Sequence, residues 1–239
     1  MKKIISFLTL TVVMLAGLAG NALAYIEAGS LIRVVYQTNG NVEVLTDLGN
    51  GANLIASTNA HVGTGANAFS LSQFAGATFA DLRVAYLYAP TISSTGSMSL
   101  SGSQNAKSDV RKGNMLSSNF TSFTSLYRGD ASTVVGSKSN PLSFFSKMTT
   151  TNYGGFLNKD VVEMNLAELA TAGYVEQTLY TFANINVAST GLAVAIIRTL
   201  ADGSTIINPA AVSQVPVPAS LLLFGTGLLG LFGIRRKNA

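Results

Sequence analysis

His61 is the single histidine of this 239-residue chain and stands in the stretch STNAHVGTGANAF. A nucleophilic triad would pair it with a serine and an acid, but the sequence has no G-x-S-x-G elbow to present that serine. One imidazole cannot build a multi-histidine zinc site. The chain has no cysteine, which excludes thiolate ligands and cysteine nucleophiles as well. His61 therefore reads as a loop residue. Just beyond it, Gly63-Thr64-Gly65-Ala66-Asn67-Ala68 fits the spacing G-x-G-x-x-A. A dinucleotide site needs a strand before that spacing, a helix after it and an acid about twenty residues on. Asp81 comes too early, so the hexapeptide reads as a flexible turn.

Glycoside hydrolysis needs two carboxylates facing each other across a sugar. Glu163, Glu168 and Glu176 are neighbours in sequence only, and with eleven acids in the whole chain they are expected on solvated strand faces. Asp47-Leu48-Gly49-Asn50-Gly51 offers calcium-friendly oxygens but lacks the EF-hand spacing and its closing Glu. Asn119-Phe120-Thr121 is a glycosylation sequon. Tyr86, Tyr88, Tyr127, Tyr153, Tyr174 and Tyr180 could stack on sugars, yet there is no Trp, and tyrosines in strands usually pack in or near a core. No catalytic, cofactor-binding or metal-ligating residue is assigned, no cofactor is expected, and the chain reads as a protein without enzymatic activity.

The elements around these residues are β-like. LIRVVYQTNGNVEVLTDLG (31–49) places two β-branched runs around Asn39-Gly40, a hairpin signal. A two-residue loop would set Tyr36 opposite Glu43 and Val34 opposite Leu45. A three-residue loop, Thr38-Asn39-Gly40, sets Tyr36 opposite Val42 and Val34 opposite Val44, and puts Gly40 at positive φ in a bulge. Matching of polarity favours the second. ADLRVAYLYA (80–89) alternates like a half-buried strand, YVEQTLYTFA (174–183) is a third strand, and GLAVAIIRTL (191–200) reads as a central strand covered on both faces. Val161 to Leu166 fits strand or helix. PLSFFSKM (141–148) fits a short helix with Pro141 in its first turn. Residues 91–125 hold eighteen Ser, Thr or Asn, which favours edge strands, loops or disorder. The expected fold class is all-β: a sandwich-like antiparallel domain with one or two short helices.

Both termini differ in kind from this middle. MKKIISFLTLTVVMLAGLAGNALA has a positive start at Lys2 and Lys3, an apolar stretch and the A-x-A site Ala22-Leu23-Ala24, so residues 1–24 read as a signal peptide cut before Tyr25. At the other end, Leu221 to Ile234 is uncharged and is followed by Arg235, Arg236 and Lys237. As a helix those fourteen residues span about 21 Å against about 30 Å of hydrocarbon; with Ala219 and Ser220 added they read as a marginal transmembrane span (219–234) with a positive-inside stop. Pro216 and Pro218 hold Val215 to Pro218 extended, the conformation a protease reads. Removing both ends changes the charge argument. The formal +4 owes five cations to Lys2, Lys3, Arg235, Arg236 and Lys237, and residues 25–215 carry ten cations against eleven acids, a net −1. No electrostatic footprint for nucleic acid remains.

The string Val215-Pro216-Val217-Pro218-Ala219, then LLLFGTGLLG and an Arg-rich end, resembles the PEP-CTERM sorting signal of Gram-negative bacteria, and most closely its VPLPA variant. Val217 stands where the best-known form has Glu. The resemblance implies a membrane protease of the exosortase type, with a cysteine nucleophile, as processing partner. It also implies a cell-surface or extracellular destination in organisms that make exopolysaccharide. It covers 215–239 and leaves 25–214 unassigned. The expected function is an exported structural or interaction protein of the cell envelope or extracellular matrix, handled by export machinery and signal peptidase and held transiently in the membrane. A carbohydrate- or surface-binding module, with exopolysaccharide or other surface components as partners, is the alternative, and a secreted hydrolase a third reading. Small side chains at 22 and 24 fit the shallow pockets of signal peptidase. N-terminal sequencing of the exported protein is therefore expected to begin at Tyr25, and a start at Met1 would make residues 1–24 an anchor instead.

Overall fold

The computed structural model describes residues 29–91, 97–102, 113–127, 132–149, 163–182 and 191–210. The chain divides into two compact units, Met1–Pro209 and Ala210–Ala239. In order, the first unit contains β1 (Ser30–Gln37), β2 (Val42–Asn50), α1 (Gly51–Ala56), β3 (Ala60–Val62) and the 3-10 turns Gly65–Asn67, Leu71–Gln73 and Phe79–Asp81. There follow β4 (Leu82–Tyr88), β5 (Met98–Ser101), α2 (Gly113–Leu126), β6 (Thr133–Ser137), α3 (Phe144–Thr149) and β7 (Glu163–Asn165). The 3-10 turn Ala167–Ala170 leads to β8 (Tyr174–Phe182), β9 (Leu192–Leu200) and β10 (Thr205–Ile207).

The domain is mostly antiparallel β, but it is no sandwich. Ten strands form one sheet in the order β3-β10-β9-β8-β5-β4-β1-β2-β6, with β7 pairing β4 beside β5. The sheet curls into a half-barrel, and hydrogen bonds across it show why. Tyr86 on β4 bonds through its hydroxyl to Thr199 on β9 (2.6 Å) and Thr205 on β10 (3.0 Å). Arg33 on β1 donates from Nη1 to Thr205 Oγ1 (3.0 Å) and to the Gly203 carbonyl (2.6 Å). β1 and β10 are five strand steps apart, about 24 Å in a flat sheet. Only a curled sheet brings them within one side chain's reach. A sandwich distributes its strands between two sheets that meet at an apolar interface. This sheet instead folds its own far strands over its concave face.

Both faces carry a core. On the concave face Leu31, Val35, Val44, Val84 and Tyr86 pack with Val175, Leu179, Ile197 and Ile207 from the far strands, and with Phe69 and Phe74 from the connecting turns. On the other face Ile32, Val34, Leu45, Ala85 and Leu87 pack under Phe120, Phe123, Tyr127 and Phe144. The doubly covered strands are thus β1 and β4, whose interior residues are almost all buried. The expectation of a half-buried strand over 80–89 and a doubly covered one over 191–200 is reversed. In β9 the inward residues Ala195, Ile197 and Thr199 are buried, while Ile196 and Leu192 stay exposed (43% and 72%).

The hairpin also takes the other register. Val34 pairs with Leu45 and Tyr36 with Glu43, the pairing of a two-residue loop, with residues 38–41 outside the ladder. Gly40 is not at positive φ. A Cβ there would lie 1.9 Å from Gln37 Oε1, the end of a flexible side chain that can swing aside. Polarity matching misled because Glu43 is buried on the helix side with partners of its own. The polar tract 91–125 supplies β5, whose four residues are all buried, and α2. Phe120, Phe123 and Tyr127 recur at spacings of three and four and anchor that helix. In PLSFFSKM the helix starts later than expected, at Phe144, with the Ser143 hydroxyl accepting from the Ser146 N–H. Of the ambiguous 161–166, Glu163–Asn165 is strand.

Arg33 is fully buried and donates at four points, the other two being Thr46 Oγ1 (3.2 Å) and the Asn67 carbonyl (2.7 Å). Replacing it by Ala leaves a cavity and orphaned carbonyls, and is expected to cost about 3–5 kcal/mol, the range for breaking a buried charged network. Arg198→Ala removes a surface pair with Glu176 and is expected to cost about 0–1 kcal/mol. Urea unfolding of the two variants measures the contrast, and equal costs would refute the role of Arg33 in holding the curl.

Candidate functional site

The folded unit ends on a clamp. Asn208, one residue past β10, adopts positive φ (48°). Its N–H donates to the Ile196 carbonyl (2.7 Å), and its carbonyl accepts from the Asn59 N–H (2.8 Å). Its side chain accepts from the Ile196 N–H (3.0 Å) and donates to the carbonyls of Ile55 and Ser57 (both 2.9 Å). Asn tolerates the left-handed region because its short amide makes such local bonds. These bonds tie the end of the last strand to β9 and to the link between α1 and β3. The chain past Pro209 belongs to the second compact unit.

The residues assigned from sequence to targeting lie outside the described residues. These are Ala22, Ala24 and Tyr25 at the head, Val215, Pro216, Val217, Pro218 and Ala219 in the tail, and the basic stop Arg235, Arg236 and Lys237. The transmembrane span 219–234 lies there too. Among the described residues no helix is long and apolar enough to cross a membrane.

Residues 214–237 match the PEP-CTERM protein-sorting motif. The match opens one residue before Val215 and closes on Lys237, so it holds both the Pro-x-Pro stretch and the basic end. A PEP-CTERM motif fits a protein exported and sorted by an exosortase to the cell surface. No curated protein and no solved structure matches the chain.

The residues weighed for chemistry are scattered by the fold. His61 is not in a loop but on the edge strand β3, exposed and opposite Ile206. The Gly63–Ala68 hexapeptide forms a 3-10 turn with no α-helix after it, and its Asn67 carbonyl serves Arg33. Asp47 accepts from the Ser30 hydroxyl (2.9 Å) and the Gly49 N–H (2.7 Å), and Asn50 caps α1. Asn119 is buried in α2 and donates to the Lys147 carbonyl (3.1 Å), a position closed to glycosylation. Glu168 lies exposed in a turn, and Glu176 bonds Arg198 (2.8 Å) on the outer face of β8. Of the tyrosines, Tyr86 and Tyr127 are core, Tyr88 is nearly so, Tyr180 is half-buried and Tyr174 is 40% exposed beneath Arg198. They form no exposed row. Tyr153 lies outside the described residues. Among the described residues no group of three or more His, Cys, Asp or Glu could hold a metal ion.

What sequence reasoning missed is a buried polar cluster on the helix side of the sheet. Glu43 accepts from the Tyr127 hydroxyl and from the N–H groups of Phe144 (2.8 Å) and Phe145 (3.0 Å), so it seats both α2 and α3 on β2. Glu163 accepts from the Tyr36 hydroxyl and pairs with Arg83 (3.2 Å). Lys138 donates to the carbonyls of Gln37 and Thr38 and lies over the Phe145 ring (4.1 Å). Glu43 and Glu163 are 0% and 6% exposed, so the two carboxylates hold elements together and present no open face to a substrate. The available signal was a charged residue inside an apolar run, Arg33 in LIRVVY and Glu43 in VEVL.

Burial pushes the Glu43 carboxyl above its ordinary value, opposed by the Tyr127 hydroxyl, the two N–H groups and the Lys138 charge. Burial and the neighbouring Glu43 push the Tyr127 phenol up, and burial pulls Lys138 down against the pull of Glu43 and Glu163. A carboxyl whose pKa is raised by folding stabilises the fold while protonated and loses that contribution as pH rises through its folded pKa. The stability of the natural protein relative to Glu43→Gln is therefore expected to be greater near pH 4.5 than near pH 7.5. Urea midpoints at the two pH values measure this, and a gap independent of pH would refute the assignment.

Proposed function

We propose that residues 25–214 form an exported structural or interaction domain of the cell envelope or extracellular matrix. The C-terminal signal delivers it, and an exosortase-type membrane protease releases or attaches it. Residues 1–24 direct export and are removed by signal peptidase. Residues 219–234 hold the chain in the membrane while the basic end stays in the cytoplasm, because moving Arg or Lys into a bilayer centre costs about 2.5–3.5 kcal/mol each on insertion scales. The domain acts by binding or assembly rather than by catalysis.

The carrying observation is the match at 214–237 beside a compact unit that closes at Pro209. Only residues 210–213 separate the two. A cut within Val215–Ala219 removes none of the described strands, since β10 ends at Ile207 and Asn208 pins the chain behind it. Loss of the tail thus leaves the described sheet complete, which supports a temporary anchor. The absence of cysteine suits this too, because no disulfide has to form after export.

The test is a C-terminal peptide map of the mature protein from its native host. The expected last residue falls within 214–219. Recovery of an intact 221–239 segment on the mature molecule would make the tail a permanent anchor and end this reading.

A further inference from the structure

Among the described residues the strand order ends on β3 at one side and β6 at the other, and these two edges are unlike. β3 is three residues long, carries His61, and is bounded by Asn59 and Gly63, both at positive φ, which turn the chain away from the edge. β6 is longer, reads Thr-Val-Val-Gly-Ser, and has no charge and no proline. Charged residues, prolines and very short strands are the means by which edges avoid pairing with other chains. β3 is very short, and β6 shows none of these features.

The hydrogen-bond parity of β6 is set by its partner. Asp47 N–H donates to the Ser132 carbonyl and Lys138 N–H to the Asn41 carbonyl, and the register between those bonds pairs Leu45 with Val134 and Glu43 with Gly136. In an antiparallel ladder hydrogen-bonded and non-hydrogen-bonded pairs alternate. Val134 and Gly136 therefore bond inward to β2, and the N–H and C=O groups of Thr133, Val135 and Ser137 point outward. The Ser137 carbonyl accepts from the Asn140 N–H (3.0 Å), and Thr133 and Val135 have no backbone partner on the outer side among the described residues. The Val135 side chain is 53% exposed, the most exposed large apolar side chain after Leu192 among the described residues.

We propose that β6 is a docking edge for a second copy of this chain, paired antiparallel with the two-fold axis at Val135. The pattern is self-complementary. Val135 lies opposite Val135 of the partner subunit, each donating its N–H to the other's carbonyl, and Thr133 lies opposite Ser137 of the partner subunit. No charge meets a like charge across the axis. The two valines, adjacent on one face, cover each other's exposed surface. Such a pairing is isologous and closes on itself, giving a dimer whose sheet runs through both subunits. The guarded β3 edge stays out of the pairing. This inference does not rest on the sorting reading, because it follows from the edge alone.

The chain has no cysteine, so single cysteines report the contact directly. The full-length chain in mild detergent is the material, with Val135→Cys, Ile196→Cys, Thr133→Cys and Ser137→Cys as variants and a mild oxidant or a short bismaleimide as cross-linker. Hydrogen-bonded antiparallel partners have Cα atoms about 5.5 Å apart, within disulfide range. Val135→Cys is expected to cross-link at least about tenfold faster than the exposed control Ile196→Cys, as an effective-concentration advantage predicts. Thr133→Cys is expected to link to Ser137→Cys in a mixture of the two, and not to itself, because two such residues lie about 14 Å apart in this register. Equal rates at 135 and 196 would overturn the proposal. So would self-linking of Thr133→Cys as fast as its link to Ser137→Cys, which would place the contact elsewhere, for example between the apolar ends.

Discussion

The curl of the sheet depends on one buried guanidinium. Arg33 sits in the middle of β1 with its side chain on the concave face, and its donors end on β10, on the turn before it, on β2 and on the Gly65–Asn67 turn. All four acceptors are neutral. Burial pulls the guanidinium below its ordinary pKa, opposed by Tyr86 and, less, by Asp202, which the Ser204 hydroxyl and N–H hold below the usual carboxylate range. The Phe69 ring covers it at 5.3 Å. Arg suits this place because its planar guanidinium spreads five donors over a rigid fork and is less strongly hydrated than a compact ammonium. Gly203 follows from the same crowding, since a Cβ there would meet the Phe69 carbonyl at 1.8 Å.

A curled sheet still has a convex face to cover, and here the helices do it. α2 and α3 lay Phe120, Phe123 and Phe144 on Val34, Leu45 and Ala85, with edge-to-face contacts between the rings at 5.1 and 5.3 Å. Each such buried side chain contributes about 1.5–3 kcal/mol against exposure. Packing alone would let the helices slide. The Glu43 carboxylate fixes them, because it takes hydrogen bonds from the last residue of one segment and the first turn of the other. The two buried charges thus divide the work. Arg33 closes the concave side and Glu43 orients the convex side, on adjacent strands of the same hairpin.

Function and fold are largely separate in this protein. The sorting motif is matched at 214–237, and the described strands close before it at a point secured by Asn208. None of the described strands lies within the matched segment. On the surface of the domain the open β6 edge and the apolar residues of β9 stand out.

The sequence by itself determined the sorting motif and the secondary-structure class. A sorting motif is read by other machines as linear text, so the stretch from Pro216 to Arg235 could be recognised from residue order alone. The alternation of β-branched residues in 31–49 and 174–183 also sufficed to place strands, because period two is a local property. Tertiary structure decided the rest. Whether Glu43 could face Tyr36 depended on Tyr127 and on the N–H groups of Phe144 and Phe145, about a hundred residues away. Whether the strands made two sheets or one depended on where Arg33 found its acceptors. Whether β9 was covered depended on which elements reached it, and its apolar composition could not say. Burial of a polar group is decided by distant partners that satisfy it, and those partners exist only once the chain has folded.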